Sequence, residues 1–117
     1  MQKKEIGKIG EKIASKYLKD NGYEIKEANF YCRYGEIDII AFNENKIIFV
    51  EVKTRRSLKY GYPIEAINKQ KVLHMKNTAV QYLCINKIYG LDIRFDAIEV
   101  YLGKDKYKIN HVKDIID

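Results

Sequence analysis

The sequence predicts an α+β domain in which a mixed β-sheet is flanked by helices. The 117 residues contain 46% apolar and 32% charged side chains and one proline, which predicts a single ordered domain over 1–117. Apolar residues recur with a helical period in two segments, and β-branched and aromatic runs typical of strands occupy the other segments. The predicted order of elements is αβββαβ, to which a short C-terminal strand can be added.

The first helix is predicted over residues 4–20. Its apolar residues are spaced by three, four and one positions, so they share one face of a helix. They are Ile6, Ile9, Ile13, Ala14, Tyr17 and Leu18. Asn21 and Gly22 follow, and glycine readily adopts the left-handed conformation at which many helices end.

Three strands are predicted next, over residues 23–29, 35–42 and 46–54. The second and third are rich in Ile, Val and Phe, which are common in strands. Only Asn43, Glu44 and Asn45 separate them, and this short turn-forming link predicts an antiparallel hairpin.

A second helix is predicted over residues 63–83, followed by a strand over 91–101 and a short edge strand over 107–112. Pro63 lies where this helix would begin, and a proline at the first helical position costs no hydrogen bond. Later in the chain, we expect Arg94 and Asp96 to stabilise the sheet.

Several function classes are disfavoured. No apolar run of about 18 residues could span a membrane, and the N-terminus lacks the apolar stretch of a signal peptide, so we expect a cytoplasmic protein. Cys32 and Cys84 lie far apart and without metal-site spacing, which predicts two reduced thiols. His74 and His111 are equally isolated in the sequence. Any catalysis is therefore expected to depend on carboxylates and lysine.

The net charge of +6 is concentrated in one segment. Between Lys53 and Lys76 there are seven basic residues and a single acid, Glu65, whereas the rest of the chain carries equal numbers of basic and acidic residues. A basic segment of this kind suits an acidic partner, nucleic acid before membrane.

Charged residues interrupt two apolar strands that we expect to be neighbours. Residues two positions apart share a face of a strand, which groups Glu36 and Asp38 with Ile40. The opposite face of that strand is then predicted to carry Ile37, Ile39 and Ala41. On the next strand, Glu51 and Lys53 share a face with Phe49, opposite Ile48, Val50 and Val52.

A buried unpaired charge is costly, so these groups need partners or a metal. Asp38 and Glu51 suit Mg²⁺, which one or two carboxylates, waters and a substrate phosphate commonly hold. Lys53 would orient the attacking water or stabilise charge on the phosphate. An ordinary ion pair between Glu51 and Lys53 on a solvent-exposed sheet is the alternative.

Asp38, followed thirteen residues later by Glu51-Val52-Lys53, resembles the D-x(n)-E-x-K signature of the PD-(D/E)XK, or restriction-endonuclease-like, nuclease superfamily. The core of that superfamily has the order αβββαβ. Over nearly the whole chain, the sequence is similar to the YraN-like family of small uncharacterised bacterial proteins within it. The motifs concerned are Gly7-x-x-Gly10-Glu11, Gly35-Glu36-Ile37-Asp38-Ile39-Ile40, Phe49-Val50-Glu51-Val52-Lys53-Thr54-Arg55, Gly61-x-Pro63, Lys69-Gln70 and Arg94-Phe95-Asp96.

The resemblance implies a restriction-endonuclease-like mixed sheet and a nuclease site that uses Mg²⁺ or Mn²⁺. Asp38 and Glu51 match the metal-binding carboxylates, the carbonyl of Val52 would be a further metal ligand, and Lys53 matches the catalytic lysine. Glu11 resembles the extra acidic residue of archaeal Holliday-junction resolvases. An exposed helix carboxylate is the alternative for Glu11.

Basic residues near the predicted site are expected to contact phosphate. They are Arg33, Arg55, Arg56, Lys59, Lys69 and Lys71. The predicted function is metal-dependent hydrolysis of DNA, favoured over RNA and including branched or flapped DNA. Resolvase-like action would require two sites and hence a homodimer. The alternatives are a non-catalytic nucleic-acid-binding module with a vestigial site, and an interaction protein whose charges only confer solubility.

Overall fold

The computed structural model describes residues 2–56 and 69–116. The helices are α1 (Lys3–Asp20) and α2 (Lys69–Ile85), and the strands are β1 (Glu24–Cys32), β2 (Gly35–Asn43), β3 (Lys46–Arg55), β4 (Asp92–Leu102) and β5 (Tyr107–Val112). The predicted α+β class and element order are confirmed, including the additional C-terminal strand. The predicted helix start at Pro63 lies outside the described residues. Neither described helix is long and apolar enough to cross a membrane.

The five strands form one mixed sheet in the order β1-β2-β3-β4-β5. Strands β1, β2 and β3 are antiparallel to one another, β3 and β4 are parallel, and β4 and β5 are antiparallel. A parallel pair needs a long crossover, and α2 lies in the connection between β3 and β4.

The predicted hairpin between β2 and β3 is confirmed. Its last pair is Asn43 with Lys46, and the two residues between them, Glu44 and Asn45, have φ values of 49° and 63°. Two consecutive left-handed residues give the turn twist that matches a two-residue hairpin. The turn therefore fixes which residues of β2 and β3 lie side by side.

The sheet is buried on both sides, which explains the nearly continuous apolar runs of β2 and β3. On the α1 side, Ile48 and Val50 of β3 pack in a cluster with Leu18 of α1. On the α2 side, Phe49 packs in a second cluster with Tyr82 of α2. The alternation predicted for this apolar part of β3 is confirmed.

The alternation predicted for β2 is wrong at Ile37. This residue lies in the α2-side cluster together with Ile40, whereas Ile39 and Ala41 lie in the α1-side cluster. The ladder between β2 and β3 ends at the pair Ile39 with Val50, and strict alternation is not kept beyond it. The departure from a regular strand thus falls at Asp38.

Gly10 lets α1 approach the sheet closely. A Cβ atom at this position would lie 1.8 Å from Thr54 Oγ1, a distance that no side chain could keep. At Gly7, one turn earlier, an added Cβ would meet nothing within 4 Å. The close contact of α1 with β3 therefore depends on Gly10.

A buried network around Asp96 joins β4 to β5 and α1, consistent with the stabilising role predicted from the sequence. Arg94 donates hydrogen bonds from Nε and Nη2 to the two Asp96 oxygens at 2.8 Å, and the Asp114 backbone N–H donates a third at 3.0 Å. His111 Nε2 lies 2.8 Å from Asp96 Oδ2, and its Nδ1 lies 3.0 Å from the Tyr17 hydroxyl. Burial raises the pKa of Asp96, but the hydrogen bonds from His111, Arg94 and Asp114 outweigh it and lower the pKa to about 2.

Candidate active site

Asp38 and Glu51 lie where β2 and β3 cease to pair. The backbone N–H of Val52 donates a hydrogen bond to Asp38 Oδ2 at 2.8 Å, just beyond the last ladder pair. Asp38 and Glu51 line one cavity of about 140 Å³, next to α2. The structure therefore brings together the two carboxylates that the sequence nominated as metal ligands.

The Asp38 carboxyl lies in an environment that disfavours its charge. Burial is the largest effect and raises the pKa of Asp38, while the hydrogen bond from Val52 opposes it. The nearby charges of Glu11, Glu51 and Glu36 also raise the pKa, and the net result is a rise from 3.8 to about 7. Four acidic side chains thus converge on this end of β2.

Glu51 is paired with a lysine, and one of its oxygens has no partner among the described residues. Its Oε1 forms an ion pair with Lys71 Nζ of α2, and the Glu51 side chain is only 13% exposed. Its Oε2 is buried and accepts no hydrogen bond among the described residues. A buried carboxylate oxygen left in this state is costly and calls for a donor or a cation.

Glu11 comes to the same site from the first helix. It lines a groove of about 560 Å³ together with Asp38 and Asn29. Burial raises the pKa of Glu11, the Asn29 hydrogen bond lowers it, and the charge of Glu36 raises it again. The sequence alone could not place Glu11 beside Asp38, since the two residues lie on different elements.

Two members of this neighbourhood were not among the predicted site residues, although the sequence had placed Glu36 on the same strand face as Asp38. Glu36 lines the cavity beside Asp38 and Glu51 and acts electrostatically on Asp38. Asn29 has a φ of 54°, in the left-handed region that Asn tolerates better than most residues. In the sequence, the only indication that Asn29 has a special role is that an Asn lies within a predicted strand.

Lys53 is half-buried on β3, two positions beyond Glu51. Its neighbours Val52 and Thr54 are on the α1 side, where Val52 packs against the core and Thr54 meets Gly10. Strand alternation therefore assigns Lys53 to the same side of the sheet as Glu51. In register it pairs with Glu99 of β4.

The donor atoms at this site fit a hard divalent cation. Among residues 2–56 and 69–116, no group of three or more His, Cys, Asp or Glu side chains is arranged to hold a metal ion. The predicted set contains two carboxylates and one backbone carbonyl, and Mg²⁺ commonly completes such a set with waters and phosphate. Glu51 Oε2 has no partner among the described residues, and the charges of Glu11, Glu51 and Glu36 add to the effect of burial on the pKa of Asp38, so negative charge is concentrated here.

The predicted phosphate contacts are dispersed around the site. Arg33 is exposed in the β1–β2 turn, where its guanidinium lies 4.8 Å from the centre of the Tyr34 ring and donates to the Tyr34 hydroxyl at 2.7 Å. Lys69 is exposed at the start of α2. Lys59 lies outside the described residues.

The remaining three predicted contacts differ in their surroundings. Arg55 lies 3.9 Å from the buried Glu99 carboxylate, which also accepts a hydrogen bond from Asn110. Arg56 is exposed just after β3. Lys71 is paired with Glu51 inside the site rather than lying on a separate surface.

Comparisons with known proteins identify relatives over nearly the whole chain. The solved structure described as "Crystal structure of SSO0001" is 25% identical, with a TM-score of 0.39 over 95% of this chain and 52% of that one, so the chain spans about half its length. A UPF0102 protein of Alkaliphilus oremlandii is 50% identical over 95% of this chain and 97% of its own. One from Caldicellulosiruptor saccharolyticus is 47% identical over 97% and 98% of the two chains. The model described as "Uncharacterised protein family UPF0102" matches residues 10–100, and the chain therefore belongs to the UPF0102 family.

Proposed function

We propose that this protein is a metal-dependent nuclease that hydrolyses phosphodiester bonds in DNA. The observation that carries the proposal is the buried Glu51 Oε2, which has no hydrogen-bond partner among the described residues, in a side chain that lines the same cavity as Asp38. A cation between the two carboxylates would satisfy that oxygen, stabilise the ionised form that burial of Asp38 disfavours, and relieve the repulsion from Glu51. The ordered Asp38 and Glu51-Val52-Lys53 motif supports the same chemistry by its resemblance to the PD-(D/E)XK nucleases.

In this proposal, the carboxylates of Asp38 and Glu51 and the carbonyl of Val52 would hold Mg²⁺ or Mn²⁺. Such an ion, when bound, neutralises phosphate charge and makes a water molecule more acidic. Lys53 presents its ammonium group on the same side of β3 as Glu51, where it orients the attacking water or stabilises charge on the phosphate. Glu11 contributes negative charge next to Asp38, which favours cation binding.

A nicking assay on linear, flapped and four-way DNA, with and without Mg²⁺ or Mn²⁺, tests the proposal. We expect metal-dependent product from the unaltered protein and a loss of at least about 100-fold in Asp38→Asn and Glu51→Gln. Glu44→Gln, in the exposed β2–β3 turn, makes a comparable charge change away from the site and is expected to retain activity. No metal-dependent product on any substrate, or equal product from the site variants, would refute the enzyme proposal.

The ion pair between Lys71 and Glu51 favours a second candidate, a nucleic-acid-binding module without catalysis. In that case the Lys71 ammonium is the permanent counter-ion of Glu51, and no metal is needed. Retained DNA binding without metal-dependent product, combined with the absence of Mn²⁺ binding by calorimetry, is the result expected for this candidate. Mn²⁺ binding that is lost in Glu51→Gln would argue against it.

A further inference from the structure

The first helix carries a second concentration of positive charge. Six lysines against three acidic residues lie within α1, although the chain outside 53–76 is neutral as a whole. Four of these lysines line the groove of about 560 Å³ that also contains Asp38. We call them the α1 lysine row: Lys8, Lys12, Lys16 and Lys19.

The spacing of the row follows from helix geometry. Intervals of four, four and three residues keep all four side chains on one face of α1. With a rise of about 1.5 Å per residue, the row is roughly 16 Å long, comparable to the length over which one strand of B-DNA presents about five phosphates. All four lysines are exposed, and the Lys16–Asp20 ion pair at 2.7 Å is a surface pair that a phosphate could replace.

The groove links the row to the candidate active site. Glu11 and Asp38 line it together with the lysines, and the charge of Lys8 acts on Glu11 and lowers its pKa. Both carboxylates are partly buried, whereas the lysines of the row are exposed. Here the positive row and the acidic cluster share one groove, so an anionic chain lying on the row reaches Asp38.

We propose that the α1 lysine row is the surface on which a DNA strand is held by its phosphates and guided to Asp38. This rests on the proposed nuclease function, and it assigns the substrate-binding surface to α1 in addition to the basic segment that contains Arg55 and Lys69. Contacts of this kind give affinity without reading sequence, so the row binds strands of any sequence.

The test is the salt dependence of DNA binding, measured without divalent metal on a labelled single strand and on its duplex. The row variant combines Lys8→Gln, Lys12→Gln and Lys19→Gln. The control variant combines Lys87→Gln, Lys106→Gln and Lys113→Gln, three exposed lysines elsewhere with the same total charge change. Circular dichroism of both variants checks that α1 and the sheet are retained.

We expect the row variant to reduce the slope of log Kd against log salt by about two to three, and the control variant by less than about one. Equal slopes for the two variants, or a protein that binds neither DNA, would overturn the proposal. If the row variant has the same slope as the unaltered protein and the unaltered protein nicks DNA in a metal-dependent way, the α1 lysine row is refuted as the binding surface. The nuclease proposal would then still stand. A reduced slope without nicking by the unaltered protein would instead refute the nuclease function and leave the binding surface intact.

Discussion

The Asp38 carboxylate accepts a hydrogen bond from the backbone N–H of Val52 at 2.8 Å, at the point where the β2–β3 ladder ends. A side chain of one strand thus occupies the position that a backbone carbonyl would hold in a regular ladder. The cavity that Asp38 and Glu51 line lies beside this point, between the sheet and α2. The polar site therefore lies where the ladder is interrupted.

Asp38→Asn is expected to stabilise the metal-free protein above pH 7. Burial raises the pKa of Asp38 to about 7 in the folded state, whereas the unfolded chain ionises near the ordinary value of 3.8. Ionisation is thus harder in the folded state, and the wild-type protein loses stability as the pH rises from about 4 to about 7. The Asp38→Asn variant lacks this loss. We expect its free energy of unfolding above pH 7 to exceed that of the wild type by roughly 2 kcal/mol, after allowance for solvent screening.

Urea unfolding below pH 4 and above pH 7, in the presence of a chelator, measures this difference. Glu44→Gln, in the exposed hairpin turn, serves as the control for a lost carboxylate. If the difference in unfolding free energy between Asp38→Asn and the wild type is the same below pH 4 and above pH 7, the prediction is contradicted.

Asp96→Asn is expected to destabilise the protein by about 3 kcal/mol, because it leaves the partly buried Arg94 without its charged partner. Since the folded-state pKa of Asp96 is lowered to about 2, the wild-type stability from this network is present above about pH 4 and is lost as the pH falls toward 2. Asp92→Asn, at the exposed start of β4, is the matched control. Equal unfolding free energies for the two variants at neutral pH would show that the network is not stabilising.

Gly10→Ala and Gly7→Ala are expected to change stability in opposite directions. At Gly10 the new methyl group would meet Thr54, so α1 must move from β3, and we expect a loss of about 1–3 kcal/mol. At Gly7 the methyl group enters open space, and the better helix propensity of alanine should add about 0.5–1 kcal/mol. Thermal unfolding of both variants measures these changes in stability. If Gly10→Ala stabilises the protein, the close contact between α1 and Thr54 is contradicted.

Lys71→Gln is expected to raise the affinity of the site for Mn²⁺ by about tenfold, if the metal site is as proposed. The Lys71 ammonium is paired with Glu51 and therefore competes with a metal for that carboxylate. Titration calorimetry measures the effect, with Lys69→Gln, exposed on the same helix, as the control. An unchanged or weaker Mn²⁺ affinity in Lys71→Gln would argue that the ion pair and the metal do not share Glu51.

Much of the fold was predictable because its signals are local. The period of the apolar residues predicted α1, the short turn predicted the β2–β3 hairpin, and the runs of Ile, Val and Phe predicted the strands β2 and β3. The resemblance to the uncharacterised family is confirmed by the match over residues 10–100. The error at Ile37 arose because alternation assumes a regular ladder, which the Asp38–Val52 hydrogen bond interrupts.

The sequence by itself determined the order of the elements. It also indicated Asp38, Glu51 and Lys53, because side chains two positions apart in a strand share one face of the sheet. Only the tertiary structure decided that Glu11 approaches Asp38, that Lys71 pairs with Glu51, and that the α1 lysine row shares a groove with the carboxylates. These relationships depend on how α1 and α2 pack across the two faces of the sheet. Packing of that kind is set by contacts between distant segments, which periodicity within one element does not encode.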